Sequence, residues 1–122
     1  MKELPNIIAL AYLGDAVYEL HIREKLLSYN IVFVNQLQKA SITYVSAKSQ
    51  AESMRKLLNS AILSDEEKDI TFRARNNKRK IHPRNVDIVT YKYSTAFEAL
   101  IGYLYLTNKP RLNEIYSFLE RE

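Results

Sequence analysis

The chain contains no cysteine, which excludes disulfides and thiolate metal sites. It has only two glycines and three prolines in 122 residues, and this scarcity of turn-forming residues favours an all-helical protein over a β-sandwich or barrel. No run approaches the ~20 consecutive apolar residues of a membrane span, and the N-terminal MKELPNIIAL lacks the apolar core of a signal peptide. We therefore expect a soluble cytoplasmic protein without membrane association.

The length and the charge of the chain further limit the class of protein that it can be. A chain of 122 residues matches one domain with one hydrophobic core, and no repeat or linker interrupts it. We therefore predict a single compact helical domain over residues 1–122. The net charge is +4, with a pI of about 9.3. A modest positive excess indicates a polyanionic partner only where the charge is clustered.

Apolar residues recur at helical spacing along most of the chain. The predicted helices cover residues 6–27, two segments within 35–59, residues 64–76, residues 91–107, and a last helix from residue 110. The first of these is apolar on more than one face, which predicts a central helix packed on several sides. Ser64 followed by Glu67 is typical of a helix N-cap. Residues 77–89, which include Pro83, are predicted to form an exposed loop.

Two carboxylates lie within apolar helices. Asp15 follows Gly14 in ALAYLGDAVYEL (residues 9–20), and Glu98 precedes Gly102 in TAFEALIGYLYL (residues 95–106). A buried carboxylate is costly unless it is paired, hydrogen-bonded or bound to a metal. If the two helices pack together, both acids can share one divalent cation, and Mg²⁺ prefers such oxygen ligands together with several waters. Separate pairing of each acid with a Lys, an Arg or a Tyr hydroxyl is at least as good an interpretation of the spacing.

The positive charge is clustered in FRARNNKRKIHPRN, residues 72–85. So many cations in one segment suit phosphate contacts that weaken as salt rises, although a solvated loop is the simpler alternative. The residues predicted to contact nucleic-acid phosphates are Arg73, Arg75, Lys78, Arg79, Lys80 and Arg84. His21 and His82 lack the spacing of zinc ligands. We interpret Tyr12, Tyr18, Tyr103 and Tyr105 as packing residues with satisfied hydroxyls; platforms on which single strands stack are the weaker alternative.

Two motifs carry a family resemblance. YLGDAVYE (residues 12–19) resembles the helix motif of the ribonuclease III catalytic domain. FEALIGYLYL (residues 97–106) resembles the second motif of that family, in which a metal-binding glutamate is followed by alanine, leucine and glycine. RARNNK, the wider TYKYSTAFEALIGYLYL and the length are similar to the Mini-III group, bacterial enzymes that consist of the nuclease domain only. We accordingly expect no double-stranded-RNA-binding domain after residue 122.

The resemblance implies a ribonuclease III endonuclease-domain fold and a helical homodimer that cuts double-stranded RNA with Mg²⁺. It also implies maturation of the 23S ribosomal RNA precursor at both its 5′ and 3′ ends, and products with 5′-phosphate and 3′-hydroxyl ends and short 3′ overhangs. Whether a ribosomal protein assists on the precursor stays open. Asp15 matches the family's catalytic aspartate and Glu98 its principal metal-binding glutamate. Both are therefore expected to be catalytic and to hold Mg²⁺.

The sequence departs from the full family motif at two positions. Ala11 and Thr95 stand where the larger enzymes have acids, so the four-carboxylate cluster is halved. A smaller cluster should weaken Mg²⁺ binding or leave more ligands to water and RNA phosphate. Glu19 and Asp87 are candidate outer-shell substitutes, although Glu19 has the alternative of pairing with a nearby base.

Two other functions compete with the nuclease. The first is a non-catalytic ribonuclease III-like RNA-binding module of the ribosome, which the loss of two acids favours and the retention of Asp15 and Glu98 opposes. Mg²⁺-dependent cleavage of duplex RNA separates it from the nuclease. The second is a helical protein–protein adaptor without an RNA role, which predicts no salt-sensitive RNA binding and leaves the acids and the basic segment unexplained.

Overall fold

The structure is a computed structural model that describes residues 3–78 and 85–121. Within these residues it contains six α-helices and no β-strand, which confirms the all-α prediction. The helices are α1 (Ile7–Leu27), α2 (Val34–Val45), α3 (Ala47–Asn59), α4 (Asp65–Arg75), α5 (Ile88–Thr107) and α6 (Lys109–Glu120). In the described part of the chain, no helix is long and apolar enough to cross a membrane.

Side-chain caps set where several helices begin. The Ser64 hydroxyl accepts from the Glu67 backbone N–H at 3.1 Å, and the Glu67 carboxylate accepts from the Ser64 backbone N–H at 2.8 Å. This reciprocal capping box confirms the predicted start of α4. Asp87 caps α5 by accepting from the Thr90 backbone N–H at 2.9 Å. Helix α5 therefore begins at Ile88, three residues before the predicted start near Tyr91.

Helix α5 forms the centre of the fold, with α1, α3, α4 and α6 packed around it. From Ser94 to Leu104 every residue of α5 is buried except Glu98. The prediction that α1 is the central helix was wrong. One stripe of α1 is buried, whereas Tyr12 on its outer side is 84% exposed and Leu20 is 60% exposed.

Ion pairs attach α6 to the rest of the bundle. The guanidinium of Arg111 contacts both carboxylate oxygens of Glu67, at 2.8 and 2.9 Å. At the other end of α6, Nε2 of His21 lies 2.7 Å from Oε2 of Glu120, and the imidazole stacks on the Tyr116 ring with centroids 3.7 Å apart. His21 therefore joins α1 to α6.

Candidate active site

Helices α1 and α5 cross with their backbones in direct contact at two glycines. A Cβ atom on Gly14 would lie 1.7 Å from the carbonyl oxygen of Glu98, and one on Gly102 would lie 2.0 Å from that of Leu10. Because no side chain fits in these spaces, only glycine permits the crossing. The two acids flank this contact: Asp15 follows Gly14 directly, and Glu98 itself supplies the carbonyl that Gly14 touches.

A shallow pocket of about 200 Å³ opens beside the crossing and contains both acids. Its lining residues are Ile8, Ala11, Tyr12, Asp15, Tyr91, Thr95 and Glu98. Glu98 is half-buried, but Asp15 is exposed, so the expectation that both acids are buried was wrong for Asp15. Gly14 occupies the contact with α5, and the next residue of an α-helix points about 100° further round the axis. Asp15 therefore faces the open side of the pocket.

Asp15 lies close enough to Glu98 to change the pKa of the Glu98 carboxyl group. Burial, which is the largest cause, together with the negative charge of Asp15 and a hydrogen bond with Asp15 raises the pKa of Glu98 to about 8. A hydrogen bond from Gln50 opposes this rise. Without a nearby cation, ionising both of two adjacent carboxyl groups costs free energy, because their negative charges repel each other. Among residues 3–78 and 85–121, neither acid forms an ion pair with a Lys or Arg.

The donors in this pocket fit a Mg²⁺ ion that takes part of its ligands from elsewhere. No group of three or more metal-ligating side chains occurs in the described residues, so the protein offers two carboxylates. Mg²⁺ is commonly bound by one or two carboxylates, with waters and substrate phosphates completing the octahedron. Ala11 and Thr95, the positions of the missing acids, line the same pocket. The Thr95 hydroxyl instead donates to the Tyr91 carbonyl at 2.9 Å.

The two candidate outer-shell acids do not reach this pocket. Glu19 accepts a hydrogen bond from Arg23 one turn further along α1, which is the alternative that the sequence had left open. Asp87 caps α5 and precedes Glu98 by three turns, about 16 Å along the helix axis. Neither residue is among those lining the pocket.

The basic segment is partly helical. Arg73 and Arg75 lie on the last turn of α4, within the helix predicted over residues 64–76. Cations at a helix C-terminus are favoured by the helix dipole. Arg73 lies 3.7 Å from Asp69, and the Arg75 guanidinium lies 4.8 Å from the centre of the Phe72 ring. Lys78 is exposed. The predicted residues Arg79, Lys80 and Arg84, together with His82, lie outside the described residues.

Sequence reasoning missed two residues at this site. Gln50 of α3 is 2% exposed and acts to lower the pKa of Glu98. Its helical phase with the buried Ala51 and Met54 was the available signal. Tyr12 lines the pocket and is largely exposed, so its interpretation as a packing residue was wrong. The same holds for Tyr105, which is 36% exposed. Buried positions of Tyr18 and Tyr103 agree with the prediction.

Comparisons with known proteins show which family this chain is similar to. The Ribonuclease III domain family matches residues 8–109. A Mini-ribonuclease 3 from Thermoanaerobacter sp. (strain X514) is 47% identical over 102 residues, which cover 84% of this chain and 70% of that protein. A Mini-ribonuclease 3 from Enterococcus faecalis is 43% identical over 93% of this chain and 86% of that protein. A crystal structure of a protein from Fusobacterium nucleatum matches with a TM-score of 0.84 and 35% identity, over 95% of this chain and 93% of that chain.

These relatives confirm the resemblance that the two motifs carry. The structural match extends it to the whole helical fold. The ribonuclease III family acts on double-stranded RNA, generally as a dimer and with divalent metal ions. The chain therefore belongs to the ribonuclease III family, within its Mini-ribonuclease 3 group, and is an endoribonuclease.

Proposed function

We propose that this endoribonuclease is a Mg²⁺-dependent cytoplasmic homodimer that cleaves double-stranded RNA and matures the 5′ and 3′ ends of the 23S ribosomal RNA precursor. The observation that carries the proposal is the meeting of Asp15 and Glu98 in one pocket at the α1–α5 crossing. Two carboxylates that share this space without a Lys or Arg partner in the described chain are arranged for a cation.

Within this proposal, Asp15 and Glu98 hold the metal directly or through water. When bound, Mg²⁺ supplies the charge that stabilises the scissile phosphate and activates water for attack. Glu98 must release its proton to become a ligand, and Asp15 is exposed, so RNA can reach a metal held there. Water adds to phosphorus and the bond to the 3′ oxygen breaks, which leaves a 5′-phosphate and a 3′-hydroxyl. No protein nucleophile is needed.

The proposed substrate contacts follow from charge and shape. A-form duplexes present 2′-hydroxyls and phosphates across a wide, shallow minor groove, so they are recognised without reading base sequence. The proposal assigns phosphate contacts to the basic segment, namely Arg73, Arg75, Lys78, Arg79, Lys80 and Arg84. Because such contacts release counterions, RNA binding is expected to weaken steeply between low and physiological salt.

An exposed stripe on α1 supports the proposed homodimer. Tyr12, Ala16, Leu20, Arg23 and Leu27 follow one another at intervals of three or four residues and all are exposed. We call this set the α1 stripe. It begins at the pocket with Tyr12 and ends at an apolar groove of about 430 Å³ between α1 and α2. The stripe is apolar except for Arg23, and a largely apolar exposed helix face is typical of an interaction site. A two-fold dimer supplies one active site for each RNA strand.

The halved acid cluster favours one competing function, a non-catalytic RNA-binding module. That module would bind the duplex and leave it intact. The shared pocket of Asp15 and Glu98 argues for the nuclease, because binding alone gives no reason to place two carboxylates where a polyanion approaches.

The test is cleavage of an end-labelled 23S precursor stem, with and without Mg²⁺, by the wild type, Asp15→Asn and Glu19→Gln. Asp15→Asn keeps the side-chain shape and removes the charge. Glu19→Gln is the matched control, since it makes the same change one turn away, outside the pocket. We expect Mg²⁺-dependent cleavage by the wild type and the control, and RNA binding without cleavage by Asp15→Asn. A wild type that binds several duplexes tightly and cuts none would establish the non-catalytic module.

A further inference from the structure

Four side chains from three helices form an alternating row of arginines and aromatic rings. The Arg55 guanidinium of α3 lies 4.7 Å from the centre of the Tyr93 ring on α5. The Arg75 guanidinium of α4 lies 5.9 Å from the centre of the same ring and 4.8 Å from the centre of the Phe72 ring. We call these four residues the arginine–aromatic row. It exists only in the folded protein, because it depends on α3 and α4 both packing against α5.

The arginine–aromatic row lies at the surface. Arg55 is exposed, Phe72 is 38% exposed, and Tyr93 and Arg75 are half-buried. A guanidinium that stacks on an aromatic ring keeps its N–H donors at its edge, where they remain able to bind an oxygen-containing partner. Stacking also restricts a long side chain before a partner arrives, so less conformational entropy is lost on binding. The row therefore presents two arginines that are already ordered.

The arginine–aromatic row carries two positive charges and no acid. In the described part of the chain, Arg55 forms no ion pair with an Asp or a Glu. Glu52, one turn earlier on α3, is exposed and lines a separate pocket beside α6. Asp69 of α4 lies 3.7 Å from Arg73. The charge of Arg55 is therefore not neutralised by a described carboxylate, and this surface suits a polyanion.

The arginine–aromatic row lies on the other side of α5 from the catalytic pocket. Tyr91 and Thr95 line that pocket, and Tyr93 is two residues from each of them. Two residues of an α-helix turn about 200° around its axis, so the Tyr93 side chain leaves α5 in nearly the opposite direction. No member of the row lines the pocket. A phosphate bound at the row is therefore not the phosphate that is cleaved.

We propose that the arginine–aromatic row is a second RNA-contact surface, at which Arg55 and Arg75 bind backbone phosphates outside the cleavage site and the Tyr93 ring positions both guanidiniums. This inference rests on the proposed function, because it takes RNA as the polyanion. It adds Arg55 and Tyr93, which lie outside the basic segment, to the phosphate contacts proposed for that segment. Such a surface raises the affinity for RNA without taking part in the breaking of the bond.

The first test compares Arg55→Gln with Lys39→Gln. Arg55→Gln removes one positive charge from the arginine–aromatic row and keeps a polar side chain at an exposed position. Lys39→Gln is the matched control, since it removes one charge from an exposed position on α2, which contributes no residue to the row. Binding of the 23S precursor stem is measured in EDTA at several salt concentrations. Cleavage in Mg²⁺ gives kcat and KM.

We expect Arg55→Gln to bind the stem several-fold more weakly at low salt. The slope of the logarithm of affinity against the logarithm of salt concentration should fall by about 1, because one phosphate contact is lost. KM should rise while kcat stays unchanged, since the row lies away from the bond that breaks. Lys39→Gln should match the wild type in every measurement. Wild-type affinity and slope in Arg55→Gln would overturn the inference.

The second test concerns the positioning role of Tyr93. Tyr93→Leu removes the ring and keeps both arginines, whereas Tyr93→Phe keeps the ring and removes only the hydroxyl. We expect weaker RNA binding and a higher KM in Tyr93→Leu, and wild-type values in Tyr93→Phe. In the Arg55→Gln background, Tyr93→Leu should weaken binding by a smaller factor, because one of the two positioned arginines is already gone. Equal factors in both backgrounds would overturn the role of Tyr93.

Failure of this inference is distinguishable from failure of the proposed function. A wild type that cuts the stem, together with an Arg55→Gln variant that binds and cuts in the same way, would contradict only the second RNA-contact surface. A wild type that binds the stem and cuts no duplex would contradict the nuclease. In that case the affinity and salt slope of Arg55→Gln in EDTA would still decide whether the arginine–aromatic row contacts RNA.

Discussion

Helices α1 and α5 are alike in sequence and different in surroundings. They span 21 and 20 residues, and both are apolar on nearly every side. The structure encloses α5 with four other helices, but leaves Leu20 and Leu27 of α1 more than half exposed. A helix that is apolar on nearly every side is therefore predicted to be buried, but its sequence does not show what covers it. Other helices of the same chain cover α5, and we propose that a second copy of the chain covers α1.

The sharpest test of this contrast is one substitution made in both helices. Leu100 of α5 is 0% exposed and Leu20 of α1 is 60% exposed. Leu100→Ala should lower the free energy of unfolding by about 2–5 kcal/mol, because it leaves a cavity. Leu20→Ala should change the stability of the monomer by less than about 0.5 kcal/mol. Urea denaturation at the lowest practical concentration measures both, and equal losses would contradict the contrast.

The proposed cover of α1 is tested by Leu20→Glu, which places a charge in the middle of the α1 stripe. We expect a protein of unchanged helicity that sediments as a monomer while the wild type sediments as a dimer. Asn113→Glu adds the same charge on an exposed position of α6 and should remain dimeric. If Leu20→Glu keeps the mass of the wild-type dimer, the dimer interface lies elsewhere.

The next largest effect is expected from a substitution at the glycine contact between α1 and α5. Within a helix, Gly→Ala is normally stabilising by about 1 kcal/mol. Gly102→Ala should instead destabilise by about 1–3 kcal/mol, since its Cβ would lie 2.0 Å from the Leu10 carbonyl oxygen. It should also reduce cleavage, because the helices must separate. Ala16→Ser adds one atom on the exposed side of α1 and should be neutral; an unchanged Gly102→Ala would refute the close crossing.

This contact also marks the limit of what the sequence could predict. Helix number, the Ser64 cap and the pairing of each acid with a nearby glycine follow from local patterns. The contact of Gly14 with the Glu98 backbone joins residues that are far apart in the sequence. The exposure of Asp15 follows from this contact and not from any local pattern. The early start of α5 was missed because the Asp87 cap lies within a basic segment that resembles a loop. Gln50 was missed because a lone amide in a helix carries no motif.

The raised pKa of Glu98 also predicts a pH dependence of stability. Since the pKa of Glu98 is raised from 4.5 to about 8, the folded protein keeps a proton that the unfolded chain has released across this window. The free energy of unfolding of the metal-free protein should therefore fall as pH rises through it. Glu98→Gln should remove this part of the slope, and Mg²⁺ should oppose it by favouring the ionised form. Melting temperatures in EDTA from pH 5 to 9 that are parallel for wild type and variant would contradict the assignment.

The central claim is that Asp15 and Glu98 form one metal site and not two neighbouring acids. It is tested most directly by Mn²⁺ binding to the wild type, Asp15→Asn, Glu98→Gln and the double variant, in a double-mutant cycle. One shared site predicts that either single change removes most of the affinity and that the double variant loses little more. Losses that simply add, or single variants that bind Mn²⁺ as the wild type does, would contradict it.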